Sequence, residues 1–137
     1  MSRSTQGTAP WLQRPISRTV LALFFGVAGI LHFIFPQQYA STMPPWLPAH
    51  DALVAMSGVC EIAGAIGILI ARLRFAAGIG LLLLCVAVLP ANVQMWLAAM
   101  TASKAWWIIG LLLLRLPLQI PLMWWIWQVA CARRVAV

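Results

Sequence analysis

The hydrophobic positions of this chain fall into four long runs separated by short polar connections. The runs cover approximately residues 19–35, 52–71, 75–97 and 106–128. Each is close to the length of about 20 residues that an α-helix needs to cross the hydrocarbon core of a bilayer. Because the connections are too short to hold a soluble domain, the pattern predicts an all-α, polytopic membrane protein built as a four-transmembrane-helix bundle.

The composition supports a membrane class and argues against a nucleic-acid-binding class. Of the 137 residues, 64% are hydrophobic and 8% are charged, and the formal net charge is +7. Soluble domains average roughly 45–50% apolar and about 25% charged residues. The basic residues lie at the ends of the runs and form no patch, so we expect the lipid bilayer as a partner and no nucleic acid.

The positions of the basic residues predict the orientation, because cytoplasmic flanks of spanning helices retain Lys and Arg. The arginines that flank one side of the runs are Arg3, Arg14, Arg18, Arg72, Arg74, Arg133 and Arg134. The other two connections contain only Lys104 as a basic residue. We therefore expect a protein of the bacterial inner membrane with both termini in the cytoplasm. Its expected segments are a disordered tail over 1–18, the membrane domain over 19–128 and a basic tail over 129–137.

Two charged residues lie deep inside the runs. At a helical rise of about 1.5 Å per residue, Glu61 is roughly 15 Å inward from Asp51, and Arg115 is roughly 13 Å inward from Trp106. Isolated charges at such depth are costly, and an Arg–Glu pair joined by two parallel hydrogen bonds is one way to tolerate them. The sequence therefore predicts that Glu61 and Arg115 pair.

Each of the four runs also offers a polar residue toward its outer half. These residues are His32, Glu61, Asn92, Arg115 and Gln119. We expect them to converge on one polar pocket, with the residues after the first run acting as a lid through Tyr39 and Trp46. Two alternatives remain open, namely that the polar cluster only fixes the register of the helices, and that the Pro-rich segment is only an anchored turn.

Glycine and proline mark where the backbones of the runs approach each other or bend. Gly29 and Gly58 lie on strips of small residues, which predicts that the first run packs on the second. Pro117 and Pro121 each remove a backbone donor, which predicts a bend in the fourth run.

The cysteines and histidines show no pattern of a redox or metal site. Cys60, Cys85 and Cys131 lie in three different runs without a C-x-x-C motif, which favours a packing role. His32 and His50 have no ligand spacing, so we predict no metal.

Five short motifs resemble those of the DoxX-like family of small bacterial membrane proteins. In chain order they are Gly29 with His32-Phe33, PWLP at 45–48, SGV at 57–59 leading to Glu61, PANV at 90–93, and RLPLQ at 115–119. The resemblance extends from about Val20 to Trp127. It implies a four-helix membrane bundle and an accessory subunit of a redox-linked complex, since relatives called DoxD form a membrane subunit of a thiosulfate:quinone oxidoreductase.

The resemblance implies a quinone or a small sulfur compound as the candidate ligand of the pocket, with quinone as a candidate cofactor, and a membrane or redox protein as a partner. It supplies no catalytic residues. On chemistry alone, Arg115 would donate to a ketone or oxyanion, Glu61 would hold Arg115 or relay a proton, and Asn92 and His32 would orient the ligand. We expect no catalysis by the chain on its own. The alternatives are a structural or assembly protein and, less favoured, a proton-coupled transporter that uses Glu61.

Overall fold

The structure, a computed structural model, describes residues 15–131. The tails were predicted over 1–18 and 129–137. Their residues up to 14 and from 132 lie outside the described residues, whereas 15–18 are α-helical and 129–131 are π-helical. Six α-helices and a π-helical turn follow one another along the described part of the chain, with no strand between residues 15 and 131. They are α1 (Pro15–Ile34), α2 (Pro36–Ala40), α3 (His50–Leu69), α4 (Arg74–Ala87), α5 (Leu89–Thr101), α6 (Trp106–Ile126) and the π-helical turn (Trp127–Cys131).

Four helical segments are long and apolar enough to cross a membrane. They are Pro15–Ile34, His50–Leu69, Arg74–Thr101 and Trp106–Cys131. Each overlaps one of the four predicted runs, so the prediction of an all-α protein with four candidate spans is confirmed. The hydrophobic pattern was sufficient for this because a span needs only length and apolar composition.

The third span is interrupted at Val88, between α4 and α5. Pro90 is in the first turn of α5 and has no backbone N–H, so it cannot donate to the carbonyl of Val86 four residues earlier. In contrast, α6 remains helical through Pro117 and Pro121. The break in helical structure occurs in the third span, and the bend that the sequence predicted in the fourth stays a prediction.

The closest helix contact joins α1 and α3, which pack on each other more extensively than any other pair of described elements. A Cβ atom added to Gly29 would lie 2.8 Å from the carbonyl oxygen of Gly58, and one added to Gly58 would lie 2.9 Å from the carbonyl oxygen of Gly29. Real side chains do not come this close to a backbone oxygen. The predicted packing of the first span on the second through glycine is confirmed.

The hydrophobic core lies toward one end of the molecule, which we call the Arg end because it includes the turn between α3 and α4 with Arg72. The buried core residues are Leu21, Ala22, Phe25, Ala65, Ile68, Leu81, Cys85, Ile126 and Val129. Two side-chain hydrogen bonds hold the same end, from Trp125 Nε1 to Ser17 Oγ at 2.8 Å and from Arg74 Nε to the Ile68 carbonyl at 2.8 Å. The Arg end is thus the well-packed end.

The opposite end, which we call the loop end, is more open. It contains α2, the residues up to His50, and the connection between α5 and α6. Here α5 packs mainly on α6, and the large apolar side chains of the first half of α6, such as Trp106 and Leu111, are exposed. This difference leaves space between the spans in the half of the molecule that carries the predicted polar residues.

Candidate functional site

Two adjoining cavities lie between the spans, one toward the loop end and one at the middle of the helices. The loop-side cavity has a volume of about 110 Å³ and the central cavity about 390 Å³. Glu61, Asn92 and Arg115 line both of them, His32 lines the first and Gln119 lines the second. The structure therefore brings all five predicted polar residues together around these two adjoining cavities, which we together call the polar cavity.

Glu61 is the residue of the site that most needs a partner. Its Oε2 atom lies 3.5 Å from His32 Nδ1, but the His32 Nδ1–H donates to the carbonyl oxygen of Ala28 at 2.9 Å. The Glu61 side chain is 13% exposed, and Oε2 is buried without a hydrogen-bond partner among the described residues. Because a buried polar oxygen without a donor is destabilising, this atom favours a ligand that supplies a hydrogen-bond donor.

Arg115 faces the same space as Glu61 without bonding to it. Within residues 15–131, His32 and not Arg115 has a side-chain nitrogen within 4.0 Å of the Glu61 carboxyl group. The prediction of a direct Glu61–Arg115 pair is therefore wrong, although the charge of Arg115 still acts electrostatically on Glu61. An acidic and a basic side chain thus line one cavity, and neither forms a hydrogen bond with the other. This arrangement suits a ligand that has both a hydrogen-bond donor and an acceptor.

Both the nitrogen and the oxygen of the Gln119 side-chain amide form hydrogen bonds within the protein. Its Nε2 donates to the carbonyl oxygen of Cys85, just before the interruption at Val88, and its Oε1 accepts from Asn92 Nδ2 at 3.3 Å. The Gln119 side chain is buried. Gln119 thereby ties α6 to α4 and α5 at the point where the third span is interrupted.

The segment after α1 covers the loop-side cavity through Tyr39. The Tyr39 ring stacks on the His32 ring, with centroids 4.0 Å apart and planes at 22°, and Thr42 and Met43 line the same cavity. Burial, and secondarily the charge of Glu61, raise the pKa of Tyr39 above its ordinary value against an opposing effect of Arg115. Trp46, predicted as the second lid residue, is 72% exposed and lines neither cavity.

The apolar wall of the central cavity was not predicted from the sequence. Phe24 and Phe25 line it from α1, and Leu118 and Leu122 line it from α6. A signal was present, because Leu118 and Leu122 follow Arg115 by three and seven residues and so share its helix face. A polar residue in an apolar run indicates a candidate site, whereas a leucine in such a run does not.

A further cavity, larger than these two, lies elsewhere and differs in chemistry. It is a groove of about 550 Å³ between α3 and α4, lined by small and apolar residues including Cys60 and Gly80, with no charged side chain. Cys60 is exposed there, while Cys85 and Cys131 are buried, and all three are free thiols. No group of three or more His, Cys, Asp or Glu side chains that could hold a metal ion occurs between residues 15 and 131.

Four apolar spans around a polar cavity define a small multi-pass membrane protein. The family described as "Domain of unknown function (DUF8561)" matches residues 21–130, from the first span to the last, and the chain belongs to this family. No curated protein and no solved structure matches the chain. The family description assigns no activity, so the function has to be argued from the chemistry of the site.

Proposed function

We propose that the protein binds a small amphiphilic ligand of the quinone or quinol class in the polar cavity, as an accessory subunit of a redox-linked membrane complex. The observation that carries this proposal is the buried Glu61 Oε2, which has no hydrogen-bond partner among residues 15–131 and borders a cavity shared with Arg115.

The chemistry of a quinol fits the polar groups of the cavity. A quinol hydroxyl supplies the donor that Glu61 lacks, and a ring oxygen accepts from the guanidinium of Arg115, which is rich in N–H donors. Phe25 and Leu122 offer an apolar wall for the ring. The central cavity of about 390 Å³ falls within the range of roughly 300–1,000 Å³ that is typical of small-molecule sites.

An accessory role rests on the resemblance to DoxX-like proteins, which remains a prediction. Proteins called DoxD act as a membrane subunit of a larger oxidoreductase, and an analogous arrangement here would leave the exchange of electrons with the bound quinol to a partner protein. Under this proposal, the chain binds, orients and shields the ligand.

We further propose that the four spans form a bundle in a bacterial inner membrane with both termini in the cytoplasm. Arg18 lies near the start of α1, and Arg72 and Arg74 lie at the turn between α3 and α4, all at the Arg end. Lys104 lies at the loop end, between α5 and α6. Retention of Lys and Arg on cytoplasmic flanks supports this orientation, which places the polar cavity toward the outer side.

A purely structural protein is the second candidate, and one observation favours it. The hydrogen bonds from Asn92 to Gln119 and from Gln119 to the Cys85 carbonyl satisfy these polar groups with protein partners, so no ligand is needed. Buried polar groups of this kind can serve only to fix helix register. In that case Glu61 and His32 would belong to the same structural network.

The two candidates are separated by unfolding temperatures of detergent-purified wild type, Glu61→Gln, Arg115→Met and the double variant, each with and without a tail-less benzoquinol. A ligand at 100 times its Kd stabilises the folded state by about 2.7 kcal/mol. We expect the quinol to raise the unfolding temperature of the wild type and of the control Lys104→Met, but not of the folded site variants.

A structural role predicts a different result from the same samples. Each single variant would be less stable, and the quinol would change none of the unfolding temperatures. That combination would contradict the binding proposal.

A further inference from the structure

The central cavity has an opening on its side, between α1 and α6. Phe24 of α1 and Leu118 of α6 both line this cavity, and their side chains are 50% and 55% exposed to the surroundings. The helices α1 and α6 are not among the pairs of elements that pack extensively. The wall between them is therefore open at the level of the cavity.

The opening lies at a depth where only hydrocarbon surrounds the protein. At about 1.5 Å per residue, Leu118 is roughly 18 Å from the start of α6 at Trp106, and Phe24 is roughly 15 Å from the end of α1 at Ile34. The hydrocarbon core of a bilayer is about 30 Å thick, so both residues fall near its middle. A polar solute cannot reach this opening without crossing lipid tails.

The other approaches to the cavity are narrower or closed. Toward the Arg end, the Trp125–Ser17 hydrogen bond and the core residues Leu21 and Ile126 join α1 to the last span. Toward the loop end, the smaller cavity of about 110 Å³ is covered by Tyr39 stacked on His32. The side opening is thus the approach to Glu61 and Arg115 that these contacts do not close.

We propose that the ligand enters from the bilayer through the opening between α1 and α6, and that its hydrocarbon tail remains between Phe24 and Leu118 while its polar head reaches Glu61 and Arg115. This inference rests on the proposed function and narrows it. The ligand is a lipid-dissolved, tailed quinone or quinol, and not a water-soluble sulfur oxyanion, which would have to cross lipid tails to reach the opening.

The test compares two probes on the full chain in lipid nanodiscs, a tail-less benzoquinol and the same quinol with a decyl tail. Leu118→Trp narrows the opening, and Leu118→Phe does so more mildly if the first variant folds poorly. Leu113→Trp is the matched control, because Leu113 is a half-exposed residue of α6 that lines neither cavity. Binding is read as the probe-induced rise in unfolding temperature at a series of probe-to-lipid ratios.

We expect the decyl quinol to bind the wild type more tightly than the tail-less quinol. Leu118→Trp should weaken the binding of the decyl quinol by about tenfold, because a bulky ring in the opening removes the space for the tail. The affinity for the tail-less quinol should fall much less, and Leu113→Trp should change the affinity for neither probe.

The outcomes distinguish this inference from the function on which it rests. If both probes bind the wild type through Glu61 but Leu118→Trp and Leu118→Phe leave the decyl quinol unaffected, the side entry is wrong and the proposed function stands. If neither probe binds the wild type, the proposed function is wrong and the side entry falls with it.

Discussion

At the scale of single residues, the contact between Gly29 and Gly58 and the position of Glu61 belong to one region of the structure. A Cβ atom on Gly29 would meet the Gly58 carbonyl oxygen at 2.8 Å and the Glu61 Cβ at 3.1 Å. The absence of side chains at these two glycines lets α1 and α3 approach closely enough to place His32 beside Glu61. The candidate site therefore depends on glycines that never contact a ligand themselves.

Gly29→Ala should destabilise the protein, because the added methyl group forces α1 away from α3. We expect a loss of about 1–3 kcal/mol, which is typical of overpacking, read as a lower unfolding temperature in detergent. Gly80→Ala is the control, since no atom lies within 4 Å of its added Cβ, and helix propensity predicts a change of at most about 1 kcal/mol in the stabilising direction. Equal effects of the two substitutions would contradict the close helix contact.

Tyr39 should ionise at higher pH than an exposed tyrosine, because burial and the charge of Glu61 raise its pKa above 10.0. The folded state then keeps the proton that the unfolded state loses. This contribution to stability is present below the unfolded pKa and is lost as the pH rises through the folded pKa. Wild type should thus lose stability above pH 10 relative to Tyr39→Phe.

Tyr39 is the only tyrosine of the chain, so its ionisation can be followed directly by the near-ultraviolet absorbance of tyrosinate. A titration midpoint at or below 10.0 in the folded protein would show that α2 does not cover the cavity as described.

The sequence could predict that Glu61 and Arg115 lie at a similar level of the helices, but it could not predict the partner of Glu61. Counting residues along a helix fixes how far a side chain lies from the end of that helix. Which of two nearby bases contacts the carboxyl group depends on the rotation of each helix and on side-chain rotamers. These features are decided by packing, and here by Gly29 and Gly58.

At the scale of elements, the interruption of the third span and the hydrogen bond from Gln119 form one arrangement. Irregular backbone inside a membrane is tolerated where other protein groups satisfy its polar atoms. Gln119 donates to the Cys85 carbonyl just before the interruption, and Asn92 donates to Gln119 just after it. A side chain of α6 thus compensates for the break between α4 and α5.

Gln119→Leu should loosen α6 from this interruption. Removing a donor from a buried carbonyl group costs about 1–3 kcal/mol, so we expect a lower unfolding temperature and faster hydrogen exchange in α5 and α6. Gln37→Leu removes the same amide from an exposed position of α2 and serves as the control. No difference between the two variants would mean that the Gln119 bonds contribute nothing to the fold.

The four spans could be predicted from hydrophobic length, whereas the interruption could not. The prolines at 117 and 121 lie in the interior of a long run and predicted a bend, which stays a prediction, and α6 is helical through both. Pro90 looked unremarkable because proline is well tolerated in the first turn of a helix. Sequence alone does not reveal that a new helix begins at Leu89.

At the scale of the whole molecule, a packed Arg end supports an open loop end. The core residues and the Trp125–Ser17 bond hold the spans together at the Arg end, and the polar cavity occupies the space that remains toward the loop end. This division lets a chain of 137 residues combine a stable base with room for a ligand.

The proposed orientation predicts which end is accessible from outside the cell. Ala102→Cys lies at the loop end and Ala71→Cys at the Arg end, and both positions are exposed. In intact cells a membrane-impermeant maleimide should label Ala102→Cys and should label Ala71→Cys only after permeabilisation. The reverse pattern would invert the topology and place the polar cavity toward the cytoplasm.

The central claim is that the ligand site is the polar cavity bordered by Glu61 and Arg115, and not the larger apolar groove between α3 and α4. The most direct measurement is labelling by a photoreactive benzoquinone in nanodiscs, with the labelled peptides mapped by mass spectrometry. We predict labels in α1 near Ala28 and in α6 near Leu118, which disappear in Glu61→Gln. Labels confined to the groove around Gly80, unchanged in Glu61→Gln, would contradict the claim.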